Sequence, residues 1–366
     1  MKKILLITAI FWLGSSCEKK DSPKDLLSEQ VSEIIKPSLY FGTHSGIAVG
    51  IFNRGEKNTY FYGYSDLKKA KRIDNNTMFE IGSITKTFTA TLIRQLQNEG
   101  LLNMDDPVEK YLPEDTNVPE YQGRKITIRH LLTHTSALPR ETRNEDTSDK
   151  PFDYSDFKNP EFNDFLNYYS SLAYLPGTYY SYSNAAYGLL GYIMERLTGQ
   201  TYSELVEERI TDILGMDDTR TALRLNHDQV ERRTLSYDTN QDLLPFSSFG
   251  EHQGGGGLIS SINDMMNFLE ANLKEDAPLY EVFDACHQLI FENDRYDYKA
   301  DIPHMGSGWQ IYYSGGDTIV GHTGITTQTS FLRFIKDKQV GVVVLTNTLN
   351  PQRTFEIGEE ILDLLR

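Results

Sequence analysis

Apolar and polar positions follow two different periods along this chain, and the period changes as the chain proceeds. Gly46 to Phe52 and Thr59 to Tyr64 are runs rich in β-branched, aromatic and small apolar residues, separated by Asn53-Arg54-Gly55-Glu56-Lys57. Two such runs around a turn-forming cluster read as a β-hairpin. From 84 onward the spacing is helical, with apolar side chains at 84, 88, 92, 93 and 96, and Gly100 stands where a helix-closing glycine is expected. Residues 101–245 read mostly as helices between loops marked by Pro113, Pro119, Pro139, Pro151, Pro160 and Pro176. Thr127 is placed to cap a helix near Ile126 to Thr133, and Ala185 to Leu197 is a helix closed by Gly199. Gly254–Gly257 leads into another helix over Ser261–Leu273. Strand-like runs return at 308–313, 318–322, 328–335 and 339–346, with Lys336-Asp337-Lys338 as the last hairpin turn, and 352–365 closes as a helix.

Strands at both ends with helices between them predict an α/β (α+β) fold. An antiparallel sheet is formed by N- and C-terminal strands and flanked by helices, and a mostly helical lobe is inserted into it. The expected boundaries are an α/β lobe of about 31–82 and 246–366 and a helical lobe of about 83–245, within a single domain of 31–366.

At 366 residues, 39% of them hydrophobic and 11% aromatic, the chain is long enough to bury a full core. The formal charge of −16 argues against nucleic-acid or anionic-membrane binding through net charge. The N-terminus reads as an export signal. Lys2 and Lys3 precede the apolar run Ile4 to Leu13, followed by Gly14-Ser15-Ser16-Cys17. About 20 apolar residues are needed to span a bilayer, so this run is too short for a permanent helix. Small residues ending in cysteine are similar to a bacterial lipobox, although Gly14 stands where leucine is usual. On this reading 1–16 is a lipoprotein signal peptide, Cys17 carries the acyl chains, and 17–30 is a polar tether. Cys286, the only other cysteine, then has no intrachain partner.

Ser83-Ile84-Thr85-Lys86 is the stretch richest in chemistry. Ser-x-x-Lys recurs at Ser16–Lys19, Ser65–Lys68 and Ser155–Lys158, so the pattern by itself carries nothing. Only the 83–86 copy follows a glycine and opens an apolar helix, where residues three apart are neighbours and lysine folds back toward the N-terminus. Two further tripeptides stand far downstream: Tyr182-Ser183-Asn184, the only Tyr-x-Asn among 22 tyrosines, and His322-Thr323-Gly324.

Taken together these residues resemble the serine β-lactamase and penicillin-binding-protein family, in the branch of class C β-lactamases, DD-carboxypeptidases and related esterases and D-aminopeptidases. The resemblance runs from about residue 40 to the C-terminus and takes in Ile126 through Ser136, Gly254 through Ser260 and Gly306 through Trp309. It implies a β-lactamase/DD-peptidase-like fold with a cleft between two lobes, and an acyl-enzyme on Ser83. Lys86 and Tyr182 are the two implied proton acceptors. Lysine titrates near ~10.4 and tyrosine near ~10, so either needs a drop of about 3 units, roughly 4 kcal/mol, and the base stays unassigned between them. The Ser83 N–H and, by the resemblance, the Ile325 N–H would hold the oxyanion. Gly324 would admit substrate close to the strand backbone. Asn184 would hold Lys86 or a substrate carbonyl, and Thr323 a substrate carboxylate or carbonyl.

His322 departs from the lysine of many β-lactamases, and a largely neutral imidazole relaxes the demand for a carboxylate on the substrate. No acidic deacylation base and no arginine near 322 is apparent. His130 and His134 have the i, i+4 spacing of a helical zinc pair, but no glutamate follows His130, so they read as packing residues and no metal or cofactor is expected. The leading reading is an exported, envelope-anchored serine hydrolase acting on D-amino-acid peptides, β-lactams or esters. The alternatives are a true β-lactamase and a non-catalytic module that binds or senses cell-wall peptides or β-lactams.

Overall fold

The computed structural model describes residues 23–141, 172–247 and 253–366. Strands β1 (Gly46–Asn53) and β2 (Glu56–Asp66) form the expected hairpin. The pairing Asn53↔Glu56 leaves Arg54 and Gly55 as a two-residue turn, and both have positive φ (48° and 96°). That is the mirror-image turn whose twist matches the strands it joins. After β3 (Lys71–Arg72) and β4 (Met78–Glu80), the chain turns through Gly82–Ile84 into α2 (Thr85–Asn98), the successor of α1 (Pro23–Tyr40).

The C-terminal strands are β9 (His304–Met305), β10 (Gln310–Ser314), β11 (Asp317–Ile325), β12 (Thr329–Ile335) and β13 (Val340–Thr346). With the N-terminal strands they build an eight-stranded antiparallel sheet in the order β3-β2-β1-β13-β12-β11-β10-β9. The two termini therefore meet at its centre, in the register Ile47↔Thr346 to Asn53↔Val340. Side chains alternate across the pleat. Ile47, Val49, Ile51, Val342 and Val344 pack with Val31 and Ile35 of α1 and Ile357 and Ile361 of a C-terminal helix (Pro351–Leu365). Ala48, Phe52, Val343 and Leu345 face α2 and the helix Ile262–Leu273. Both faces are covered, which is why these strands read as unbroken apolar runs.

The helix α1 corrects the expected tether. Residues 23–30 are helical, not an extended polar linker. Their polar composition hides the start of a stripe, Leu27, which continues along α1 at Val31, Ile34 and Ile35, spaced for one helix face and packed on the sheet. The inserted lobe contains α3 (Ile128–Leu132), capped by Thr127, and α4 (Asn184–Thr198), closed by Gly199 at φ 72°. It is not purely helical. β5 (Arg220–Thr221) joins β4 and β8 (Leu258–Ser261) in a small sheet of order β4-β8-β5, and β6 (Ser236–Tyr237) pairs with β7 (Leu243–Leu244). Strands of two to four residues carry no period, so nothing in the sequence announced them.

Helix α2 is the spine between the lobes. Phe88, Leu92, Ile93 and Leu96 are fully buried, and Phe88 stacks on Phe268 with ring centroids 4.2 Å apart. Truncating such a ring removes its contacts and leaves a cavity. Phe88→Ala is expected to cost about 3–5 kcal/mol of stability. Urea unfolding checks this, and a loss under about 1 kcal/mol would show that α2 is not held by this stack.

Candidate active site

The turn that presents Ser83 is made by its neighbours. Gly82 has φ 50°, a conformation open chiefly to glycine, and it redirects the chain from β4 into α2. The end of β11 closes on this turn. A Cβ on Gly82 would stand 3.0 Å from the Ile325 backbone nitrogen, so that amide and the Ser83 turn are in contact distance. As the second residue of a helical turn, Ser83 has an N–H with no partner within the helix. The sequence-predicted pair of backbone donors is thus brought together. Ile325 itself is 47% exposed, at the mouth of the site.

Gly324 proves necessary for a different reason from the one expected. A Cβ there would meet the Ile81 carbonyl oxygen at 2.2 Å and Ser330 Oγ at 2.3 Å. Ser330 Oγ donates to that same carbonyl at 2.8 Å. The missing side chain lets β11 seat against the nucleophile turn; the space it frees is taken by protein, not left for substrate.

Lys86 is fully buried. Its Nζ lies 3.2 Å from Ser83 Oγ, donates to Asn184 Oδ1 at 2.7 Å and donates to the Gly255 carbonyl. The Tyr182 hydroxyl faces the Ser83 side chain, which favours its ionised form. Lys86 Nζ also stands 4.8 Å from the Tyr182 ring centroid and 5.4 Å from that of Tyr187. Burial pushes the Lys86 amine well below the ordinary lysine range, with Glu141 opposing and Arg140 assisting. Burial pushes the Tyr182 phenol up, with Ser83 opposing. The serine, amine and phenol singled out by the sequence therefore form one contiguous group.

Ser183 is the cap of α4, accepting from Ala186 N, and Asn184 is left free to face Lys86. Its Nδ2 donates to Glu141 Oε1 at 2.6 Å. Three groups at this site were not singled out as site residues from the sequence: Glu141, in the loop after α3; the Gly255 carbonyl, within the glycine run; and His134, read with His130 as a packing residue. His134 stacks on Tyr182 at 4.2 Å, and its Nδ1 accepts from Ser183 N at 3.1 Å. His130 faces elsewhere, accepting from Thr127 N in a capping box. Among the described residues no group of three or more His, Cys, Asp or Glu is arranged to hold a metal.

His322 is 1% exposed, with its ring 6.3 Å from that of Tyr182. Its Nδ1 lies 2.7 Å from the Thr323 carbonyl, an acceptor, so Nδ1 carries the proton. Nε2 is buried without a partner. Burial, then the nearby Lys86, push this imidazole down to about 3. Thr323 pairs with Phe331 on the alternate face of β11, and what ties it to the site is its carbonyl. Cys17 lies outside the described residues.

A sequence profile of the family described as Beta-lactamase matches residues 32–366. The chain belongs to the β-lactamase family. This β-lactamase-family chain is 27% identical to the D-alanyl-D-alanine-carboxypeptidase/endopeptidase AmpH of Escherichia coli K12, over 100% of this chain and 96% of that one. It is 26% identical to a beta-lactamase of Yersinia enterocolitica over the full length of both. A solved structure described as the octameric penicillin-binding protein homologue from Pyrococcus abyssi superposes with a TM-score of 0.77 at 27% identity, covering 94% of this chain and 77% of that one. The β-lactamase-family assignment makes this chain a serine hydrolase, and its mixed α/β architecture agrees with that of the penicillin-binding relative.

The imidazole of His322 is expected to stay neutral and protonated on Nδ1 from about pH 8 down to about pH 5, because its titration lies near 3. Nitrogen-15 NMR of the ring reads this directly. A shift change centred between those pH values would overturn the assignment.

Proposed function

We propose that this chain is an exported serine hydrolase that forms an acyl-enzyme on Ser83 with D-amino-acid peptides or esters, in the manner of DD-carboxypeptidases, D-aminopeptidases and esterases. The observation carrying the reading is the Ser83–Lys86–Asn184–Gly255 network, with Tyr182 on the same serine.

The network suits proton transfer in either direction. As an ammonium, Lys86 donates to three acceptors. As an amine it keeps N–H bonds to Asn184 Oδ1 and the Gly255 carbonyl, and its lone pair then faces Ser83, whose hydroxyl donates to it. Removal of that proton frees Oγ to attack a carbonyl carbon, with the Ser83 and Ile325 N–H groups receiving the oxyanion. Lys86 is the better candidate for the base, because burial disfavours its charged form and disfavours a tyrosinate at 182. Tyr182 then serves as the proton carrier to the leaving group. Water repeats the sequence on the acyl-enzyme.

A neutral His322 supplies no cation for a substrate carboxylate, which favours esters and amides without one over substrates that present one there, D-Ala-D-Ala peptides and β-lactams alike. The second reading, a true β-lactamase, is favoured by the relative of that name in Yersinia enterocolitica. Turnover of a chromogenic cephalosporin against D-Ala-D-Ala peptides and short-chain esters separates the two. Ser83→Ala is expected to abolish covalent labelling by a fluorescent penicillin or a fluorophosphonate. Lys86→Ala and Tyr182→Phe are each expected to slow acylation by about 10²–10⁴-fold, with losses that do not add in the double variant. Labelling that survives Ser83→Ala would reject the mechanism.

Localisation follows from the N-terminal segment: Lys2, Lys3, the apolar run and Cys17 support export and anchoring in the cell envelope through lipid on Cys17. Metabolic labelling with a fatty acid is expected to mark the protein, and Cys17→Ala to remove the mark. Equal labelling of both would discard the anchor.

A further inference from the structure

Glu141 is a partly buried acidic group that touches the proton-transfer group without belonging to any motif in it. It is held there by backbone bonds. The Arg140 carbonyl accepts from Asn184 N at 2.8 Å and from Ala185 N at 3.2 Å, so residue 140 is strapped to the first turn of α4. Ser183 Oγ adds a bond to the Pro139 carbonyl at 2.7 Å. Glu141 is thereby fixed beside the Asn184 side chain, 2.6 Å from Oε1 to Nδ2.

We propose that Glu141 is a positioning residue for acylation, fixing which way the Asn184 amide faces and placing one negative charge beside the Lys86–Tyr182 pair. An ionised carboxylate only accepts, so it selects the NH2 end of the amide. The carbonyl end must then face Lys86, where it accepts at 2.7 Å. A reversed amide would set NH2 against the amine and turn its lone pair away from Ser83. Burial raises the Glu141 carboxyl above its usual range, while the bond from Asn184 and the Arg140 and Lys86 charges oppose that rise.

The groups facing Lys86 decide the sign of the effect. Tyr182 and Tyr187 come from the α4 segment, His134, Arg140 and Glu141 from the loop after α3, and His322 from β11. Both histidines are pushed low and stay neutral. Arg140 is always protonated, which leaves Glu141 as the negative charge among the described residues around this amine. Negative charge favours the protonated form of Lys86 and of Tyr182 alike. Removing it lets the pair release its proton at lower pH, whichever member is the base.

The inference rests on the acyl-enzyme reading above. The test is the pH dependence of acylation of the full chain by a fluorescent penicillin and by p-nitrophenyl acetate. Wild type, Glu141→Gln and Glu141→Ala are compared. Glutamine keeps the acceptor and removes the charge: the plateau rate is expected to hold within a few-fold, and the acid limb of kcat/KM to move down by about one pH unit. Alanine loses both, and its plateau is expected to fall by about tenfold to a hundredfold. An acid limb unmoved or moved upward in Glu141→Gln would overturn the proposal, as would a full plateau rate in Glu141→Ala. Should the alanine variant fail to fold, the glutamine profile still decides. A wild-type protein that neither probe acylates would reject the acyl-enzyme reading itself, and this proposal with it.

Discussion

The structure is organised around one costly group, the buried amine of Lys86. Taking an ammonium out of water costs several kcal/mol unless charge and hydrogen bonds replace the lost solvent. Among the described residues no carboxylate touches Nζ. Two carbonyl oxygens and a hydroxyl do, and the nearest acid stands one amide further out. The arrangement satisfies the N–H groups without strongly favouring the positive charge. It is an environment that favours the neutral amine. The start of α2 acts in the same direction, since a helix N-terminus disfavours a cation.

Each acceptor and donor reaches that point from a different part of the chain, and the fold is what makes them meet. Pairing of β1 with β13 at the centre of the sheet joins the two termini and leaves β11 close to the start of α2. Gly82 and Gly324 then remove the side chains that would hold strand and turn apart. The Gly255 carbonyl arrives on a loop packed against α4, where a Cβ on Gly254 would stand 2.8 Å from the Tyr187 carbonyl. These glycines share one function, the close approach of backbone to backbone around Ser83.

The strands, the long helices and the serine, lysine and tyrosine were legible because periodicity and rare tripeptides are local signals. Thr127, Gly199 and Ser261 were read as helix ends from their own chemistry and stand there. What could not be read has a physical reason in each case. Glu141 acts through a side chain distant in sequence, and no local pattern marks a carboxylate that faces an amide. The Gly255 carbonyl is backbone, present at every residue. Asn184 and Ser183 are both good caps, and only the tertiary placement of Lys86 decides which is used as one. The helix over 23–30 was missed because polar residues dominate that stretch, and the apolar stripe that Leu27 begins continues beyond it, at Val31, Ile34 and Ile35.

On the proposed reading, the placement of one proton on His322 would bear on what the site accepts. A lysine at that position would offer three donors and a permanent charge to an incoming carboxylate. The imidazole has its Nδ1 proton committed to the Thr323 carbonyl, and its remaining nitrogen is bare. To donate from Nε2 it would have to become an imidazolium, buried and within reach of the Lys86 charge, both of which oppose it. A substrate carboxylate facing this nitrogen would meet a lone pair, whereas an N–H or O–H of the substrate would find an acceptor. On the proposed acyl-enzyme reading, selection against a carboxylate at this strand would need no added group. It would follow from which ring nitrogen the backbone carbonyl has claimed.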